Sequence, residues 1–585
     1  MFDLVIRGGT IADGTGRAVF TGDVAIKDGR IAEVGTVTGQ SAREIDAGGL
    51  LVCPGFIDTH THFDGQVTWD PHLAPSSWHG VTTVIMGNCG VGFAPVRPGQ
   101  KEYLIDIMEG VEDIPGSALA EGMPWDWETF PEYLDSLDRL PRSIDVATQV
   151  PHCAIRAYVM GRDRALDDET TPEDIAQMAA ITREAIEAGA VGFSTSRTFL
   201  HFSHSGELIP GTHSNPRELV GIARGMAEGG SGVFQMISDS LGKEPDRQWM
   251  KQIGQITGRP FIFSMVDVRA DADPFEFRDT LEALEQVYQT EGVDIRAAVP
   301  WRPPGFLMGL QTSLHPFTHH AVFAEIADLP LEQKVARMRA PEFRAALLAD
   351  APDMKKSLTG LVTRFDKMFP LGAQPDYEPR LEDSIAGRAA AAGVSPSEYA
   401  YDALLENDGR NFIFVPVAGY TQGNFDILHE MLSHPRSTAS LSDAGAHVPS
   451  VCDASFTTYM LTHWVKGRTR GARLGLEEVI RKQTSEPADI YAFHDRGAIE
   501  VGRKADINII DLDALELHAP YTAFDLPLGG ARVLQKVDGF RYTLVNGEII
   551  AQDGEMTDAR PGKLVRGPQS RTASPIERDV VEAVG

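Results

Sequence analysis

The sequence predicts an α/β protein, a distorted (β/α)8 TIM barrel with a small composite β-sandwich domain formed by both termini. Three observations point there. Short apolar runs broken by turn signals fill both ends of the chain, strand-like runs alternate with helical patterns through the middle, and one of those runs ends in two histidines one residue apart.

At the N-terminal end, Asp3-Leu4-Val5-Ile6, Val24-Ala25-Ile26 and Ile31-Ala32-Glu33-Val34 alternate with Gly8-Gly9, Asp13-Gly14 and Asp28-Gly29, the grammar of hairpin strands. Asp506-Ile507-Asn508-Ile509-Ile510 and Tyr542-Thr543-Leu544-Val545-Asn546-Gly547 repeat it near the other end. Residues 1–50 plus 496–570 are therefore expected to build one small β domain, with residues 51–495 inserted as the barrel. Strands are expected at 51–58, 81–87, 143–151, 190–196, 232–238, 260–266, 294–300 and 437–443. Helical patterns lie between several of them; Thr171-Pro172-Glu173-Asp174 supplies a cap and a proline at the first helical position. The stretch of about 301–436 is too long for one connection. It is expected to hold a mostly helical insertion, around 331–348 and 380–405, placed to lid a pocket. Residues 571–585 read as a mobile tail.

Composition excludes several partners. Over 585 residues the formal charge is −30, which argues against nucleic acid or an anionic membrane surface. Hydrophobic content of 42% is that of an ordinary globular protein, and no run of 18 apolar residues occurs. The four cysteines are scattered without a CxxC pair, which fits a reducing compartment, and the N-terminus has no secretory pattern. A cytoplasmic protein acting on a small molecule is expected, with homo-oligomerisation left open.

The chemistry gathers at strand ends. In Asp58-Thr59-His60-Thr61-His62 the two imidazoles stand at i and i+2, so both face one side and can hold one divalent metal, zinc above all. Gly87-Asn88-Cys89-Gly90 ends the second strand, where Cys89 is either a soft thiolate ligand or a small buried hydrophobe. The last strand delivers Asp443, followed by Gly445 and His447; as a carboxylate there it ligates or acts as a base, or else caps a helix. Ser196, Arg197 and His201 follow the fourth strand on the expected substrate face, with Arg197 able to clamp a carboxylate or to pack a helix. His315, His319 and His320 open the insertion and read best as solvated loop residues.

Taken together, the β-rich ends, Pro54–His62, Gly87–Gly90, Ala190–Ser196, Ser442-Asp443 and Gly502-Arg503-Lys504-Ala505-Asp506 resemble the amidohydrolase superfamily, and within it the N-acyl-D-amino-acid deacylase (D-aminoacylase) group. In that group a cysteine replaces the carbamylated lysine that bridges two metals in related hydrolases. The resemblance thus implies His60, His62, Cys89 and Asp443 as metal ligands, with Asp443 also catalytic; Arg197, Ser196, His201 and His447 are expected to face substrate from their places after the fourth and last strands. This chain has no lysine between Lys101 and Lys243, so Cys89 is the natural occupant of the bridging role. The pattern also departs from the family, whose tighter metal site takes one histidine from the fifth strand and one from the sixth. No histidine lies between His213 and His315, and the basic residue beyond the sixth-strand histidine is replaced near Asp267. One divalent ion per chain is therefore expected.

The activity implied is hydrolysis of a non-peptide C–N bond in an N-acyl amine by metal-activated water. The competing expectations are the same chemistry on a cyclic amide, carbamate or ester, and a catalytically lapsed binding protein.

Overall fold

The computed structural model describes residues 1–570 apart from 167–168, 231, 268–272, 274 and 357, so the expected tail at 571–585 lies outside the described residues. The protein is mixed α/β. Strands Phe2–Ile11, Phe20–Lys27, Arg30–Gly35, Ser41–Asp46 and Leu51–Pro54 share one nine-stranded sheet with Ile507–Ile510, Phe540–Val545, Glu548–Gln552 and Glu555–Met556. Leu4, Ile6, Val24, Ile26, Val52, Ile507, Ile509 and Leu544 form its apolar core, so both chain ends close over one hydrophobic layer.

Eight parallel strand segments follow in spatial sequence: Phe56–Asp58, Val81–Met86, Asp145–Thr148 continued by Val150–Pro151, Gly192–Arg197, Val233–Ser238, Phe261–Ser264, Ile295–Pro300 and Ser437–Ser440. The first and last meet through a parallel bridge between Thr61 and Ala444, where the His62 amide donates to the Ala444 carbonyl at 2.7 Å. The segments thus run in a closed circuit. Ile57, Ile85, Ala147, Val191, Val233, Ile262, Ala298 and Leu441, one from each segment or its edge, pack as a single apolar cluster inside it. This is what period-2 alternation produces when one face of every strand points inward.

One expectation needs correction and another gains a detail. The run 51–58 is not one strand: Leu51–Pro54 pairs with Thr10–Ile11 and with Ile507–Ile510 in the terminal sheet, and only Phe56–Asp58 enters the circuit. Gly55 makes the change of direction, because a Cβ there would lie 2.2 Å from Thr82. The insertion contains helices Leu331–Met338, Pro341–Ala349, Ile385–Ala392 and Pro396–Gly409, but also a small antiparallel sheet of Gly305–Met308, Phe369–Pro370 and Ile413–Pro416. Its own core includes Phe317, Phe323, Val335, Met338, Leu347, Tyr401 and Leu404. The helix Pro172–Ala188 starts with a reciprocal cap: Thr171 Oγ1 accepts from the Asp174 amide and Asp174 Oδ2 from the Thr171 amide. Among the described residues no helix is long and apolar enough to cross a membrane.

A buried ion cluster joins the circuit to the returning C-terminal chain. Asp145 Oδ2 accepts from Arg496 Nη1 at 2.6 Å and from Lys504 Nζ at 2.5 Å, and Lys504 also reaches Asp506. Burial pushes the Asp145 carboxyl up, but Lys504 and Arg496 outweigh it and hold the group below its usual range.

Asp145→Asn leaves two buried cations short of a counter-charge. It is expected to lower the unfolding free energy by about 3–5 kcal/mol, read by denaturant titration at pH 7. The wild-type contribution is complete above about pH 4, the unfolded carboxyl value, and fades as pH falls through the lower folded value. Equal stability of the two proteins at pH 7 would rule out this clamp.

Candidate metal centre

The donors converge where the circuit closes. His60 and His62 follow the first segment, Cys89 the second and Asp443 the eighth. The imidazole centroids of His60 and His62 are 5.4 Å apart, and the ligand atoms of His60, His62 and Cys89 all lie within 4.8 Å of one another, buried. His60 Nε2 is 3.3 Å from Cys89 Sγ and 3.3 Å from Asp443 Oδ1, which in turn is 3.8 Å from His62 Nε2.

Local backbone sets these positions. Cys89 and Asp443 hold φ of 54° and 47°, in the left-handed region that disfavours side chains, so their surroundings impose the conformation. The Cys89 amide donates to Gln235 Oε1 at 3.2 Å, Asn88 Nδ2 donates to the Thr61 carbonyl, and Ser442 Oγ donates to the His60 carbonyl at 2.9 Å. These bonds tie the donors to other segments of the circuit, Cys89 as far across as the fifth.

Burial, helped by neighbouring imidazoles, pushes His60 down to about 3 and His62 well below the ordinary histidine value. Both rings are neutral, the state that ligates metal. Burial and the carboxylates of Glu112 and Asp443 push the Cys89 thiol up. Asp443 keeps 30% of its side chain open, yet burial, then Asp453 and Asp58, push it up to about 7. Among the described residues no lysine or arginine pairs with any of the four. Two imidazoles, a thiol and a carboxyl gathered without a basic side chain are a fitting donor set for zinc, whose charge would favour the thiolate and the carboxylate. On the fifth and sixth segments Gln235 Nε2 and Ser264 Oγ are buried without hydrogen-bond partners, and no imidazole stands there. Among the described residues His60, His62 and Cys89 are the one group of three arranged to hold an ion.

The other expected residues divide. Ser196 Oγ lies 3.0 Å from His201 Nδ1, and His201, pushed down to about 4 by burial and by His447, is close enough to act on His60 and His62. The His447 amide donates to the Glu112 carbonyl, and its ring stands edge-on to Phe306 of the insertion at 6.2 Å. Arg197 is a correction. Alternation along Gly192–Arg197 sends Ser194 and Ser196 inward and Arg197 outward, where its guanidinium donates to the Ser214 carbonyl and lies 5.6 Å above Trp249. It packs a helix and does not face the metal donors. His315 and His320 are a second correction: both are buried in the insertion, where Phe317 packs against the His320 ring.

Two buried carboxyls were missed. Asp64 accepts from the Gly87 amide at 3.3 Å, and burial pushes it up to about 7; its place two residues past His62 was a readable signal. Glu112 ends the helix Lys101–Glu112 with its side chain against His62, and nothing in that acidic amphipathic stretch distinguishes it from a solvated helix face.

The amidohydrolase family profile matches residues 43–551. The chain is 27% identical over 577 residues to N-acyl-D-glutamate deacylase of Alcaligenes xylosoxydans xylosoxydans, covering 98% of each protein. Among solved structures, D-aminoacylase superposes with a TM-score of 0.63 at 22% identity, over 97% of this chain and 100% of that one. N-acyl-D-glutamate deacylase from Bordetella bronchiseptica, complexed with zinc and a phosphonate inhibitor, gives 0.62 at 24% identity with the same coverage. These two likenesses establish a shared fold.

Cys89→Ser keeps the volume nearly constant and removes the soft donor. With cobalt in the site, the wild type is expected to show a thiolate-to-metal charge-transfer band that the variant lacks, together with weaker retention of metal. Identical spectra and equal retention would make Cys89 a packing residue.

Proposed function

The chain belongs to the amidohydrolase family, and from that premise we propose that it is a metal-dependent hydrolase of a non-peptide C–N bond, removing the acyl group from an N-acyl amine of the N-acyl-D-amino-acid type. The observation that carries this reading is the clustering of His60, His62 and Cys89, with Asp443 beside both imidazoles, where the strand circuit closes. Full-length similarity to N-acyl-D-glutamate deacylase supports the substrate class. We read the circuit as a distorted (β/α)8 barrel spanning 55–495 and the terminal sheet as a composite sandwich of 1–54 and 496–570. Four free, buried cysteines suit a cytoplasmic setting.

His60, His62, Cys89 and Asp443 would hold one zinc ion. When bound, the ion would supply Lewis acidity, polarising an amide carbonyl and bringing the pKa of water down towards neutrality. Asp443 takes a proton from the attacking water on a carboxylate oxygen and passes it to the leaving nitrogen, which departs as an amine. Its partial exposure, beside buried imidazoles, supports that role. His201, held by Ser196, and His447, set against Phe306, flank the entrance as neutral imidazoles, both lowered to about 4 by burial. They offer hydrogen bonds to the substrate without adding charge.

Two outcomes test this reading. Elemental analysis after dialysis is expected to return about one equivalent of metal per chain, because the fifth and sixth segments offer Gln235 and Ser264 in place of imidazoles; two dialysis-resistant equivalents would require further ligands. Asp443→Asn is expected to keep metal and to lose more than about a hundredfold in kcat on N-acyl-D-amino acids, the scale of losing a general base. A panel with N-acyl-L-amino acids and lactams fixes the substrate class, and near-normal turnover by the Asn variant would move the base elsewhere.

A further inference from the structure

Glu112 brings a carboxylate to the back of the donor set. Its side chain is 4% exposed, with Oε1 at 3.2 Å from His62 Nδ1 and Oε2 at 4.0 Å from His447 Nε2. The first contact is close but not aligned as a hydrogen bond, and both atoms lack any other partner. The Glu112 carbonyl independently accepts the His447 amide, which ties the end of helix Lys101–Glu112 to the turn that begins at Asp443. The His447 amide and the Ala446 amide, the latter donating to the Asp443 carbonyl, hold that turn from both sides.

We propose that Glu112 is a positioning residue of the metal centre, accepting a hydrogen bond from the Nδ1–H of His62 so that the proton stays on that nitrogen and Nε2 faces Asp443, while its backbone anchors the turn that carries Asp443. The inference rests on the metal reading of the site. An imidazole has two nitrogens, and a ligand ring needs its proton on the far one; a carboxylate behind the ring selects that tautomer and raises the basicity of the near nitrogen. His60 has its Nε2 near both Cys89 and Asp443, and among the described residues no carboxylate pairs with its other nitrogen. Of the two ligand histidines, among the described residues His62 is the one flanked by carboxylates on both nitrogens, Glu112 at Nδ1 and Asp443 at Nε2.

The test uses the full-length chain stripped of metal and titrated with cobalt(II) alone against a competing chelator. Glu112→Gln keeps the volume and removes the charge, so about 10- to 100-fold weaker cobalt binding is expected, with shifted d–d bands. Glu112→Asp, shorter by one methylene, is expected to fall between Gln and wild type, and it carries the test if the Gln variant does not fold. Metal-free Glu112→Gln is expected to melt no lower than metal-free wild type. Lower melting with unchanged cobalt affinity would assign Glu112 a packing role and overturn the proposal. Equal affinity and identical spectra would overturn it while leaving the metal reading intact; a wild type that holds no cobalt would overturn both.

Discussion

The contact between Thr61 and Ala444 is the constraint on which the rest depends. It joins the first and last segments of the circuit through the His62 amide and the Ala444 carbonyl. Without it, two histidines and an aspartate nearly four hundred residues apart would have no reason to meet. Neighbouring bonds reinforce the seam: Thr59 Oγ1 and Ser440 Oγ lie 2.8 Å apart, and Ser442 Oγ holds the His60 carbonyl. Gly445 packs so close to the His62 carbonyl that a Cβ would sit 2.9 Å from it. The donors therefore sit on the seam itself, and whatever loosens closure loosens the site.

The seam is also where the protein accumulates unfavourable electrostatics. Neutral imidazoles, a thiol raised by its neighbours, and the carboxyls of Asp58, Asp64, Glu112 and Asp443 are gathered in a small volume and raised or lowered chiefly by burial. Gathering acids without cations is costly in a folded core. Elsewhere this chain neutralises its buried acids: Asp145 with Arg496 and Lys504, Asp453 with Arg302 at 2.7 Å, Glu378 with His463 and Arg468. Among the described residues, the contrast between those paired acids and the acids gathered without a basic partner at the seam sets the seam apart as a region suited to a cation.

Much of this was legible in the sequence, for physical reasons. All eight strand segments stand within a few residues of their expected places, because a buried strand bounded by glycine and polar turns leaves an apolar signature. His60 and His62 were readable because a period of two fixes which side chains share a face. The failures are equally physical. One apolar run at 51–58 served two sheets, and periodicity does not register a change of partner at Gly55. The same alternation, applied strictly, would have turned Arg197 outward. Glu112 and the insertion sheet depend on contacts across long stretches of chain, which a local pattern does not encode.

The terminal sheet has a consequence for how the protein is made. Leu51–Pro54 lies between Phe2–Ile11 and Ile507–Ile510, so one of its two edges is closed only by a strand some 450 residues downstream. At roughly 5–20 residues per second, the ribosome takes from about twenty seconds to a minute and a half to supply it. Through that interval the nascent chain displays an open apolar strand edge, the kind that recruits wrong partners. Production of the active protein is thus a race between translation and aggregation, and chaperone supply or a lower growth temperature should govern the yield.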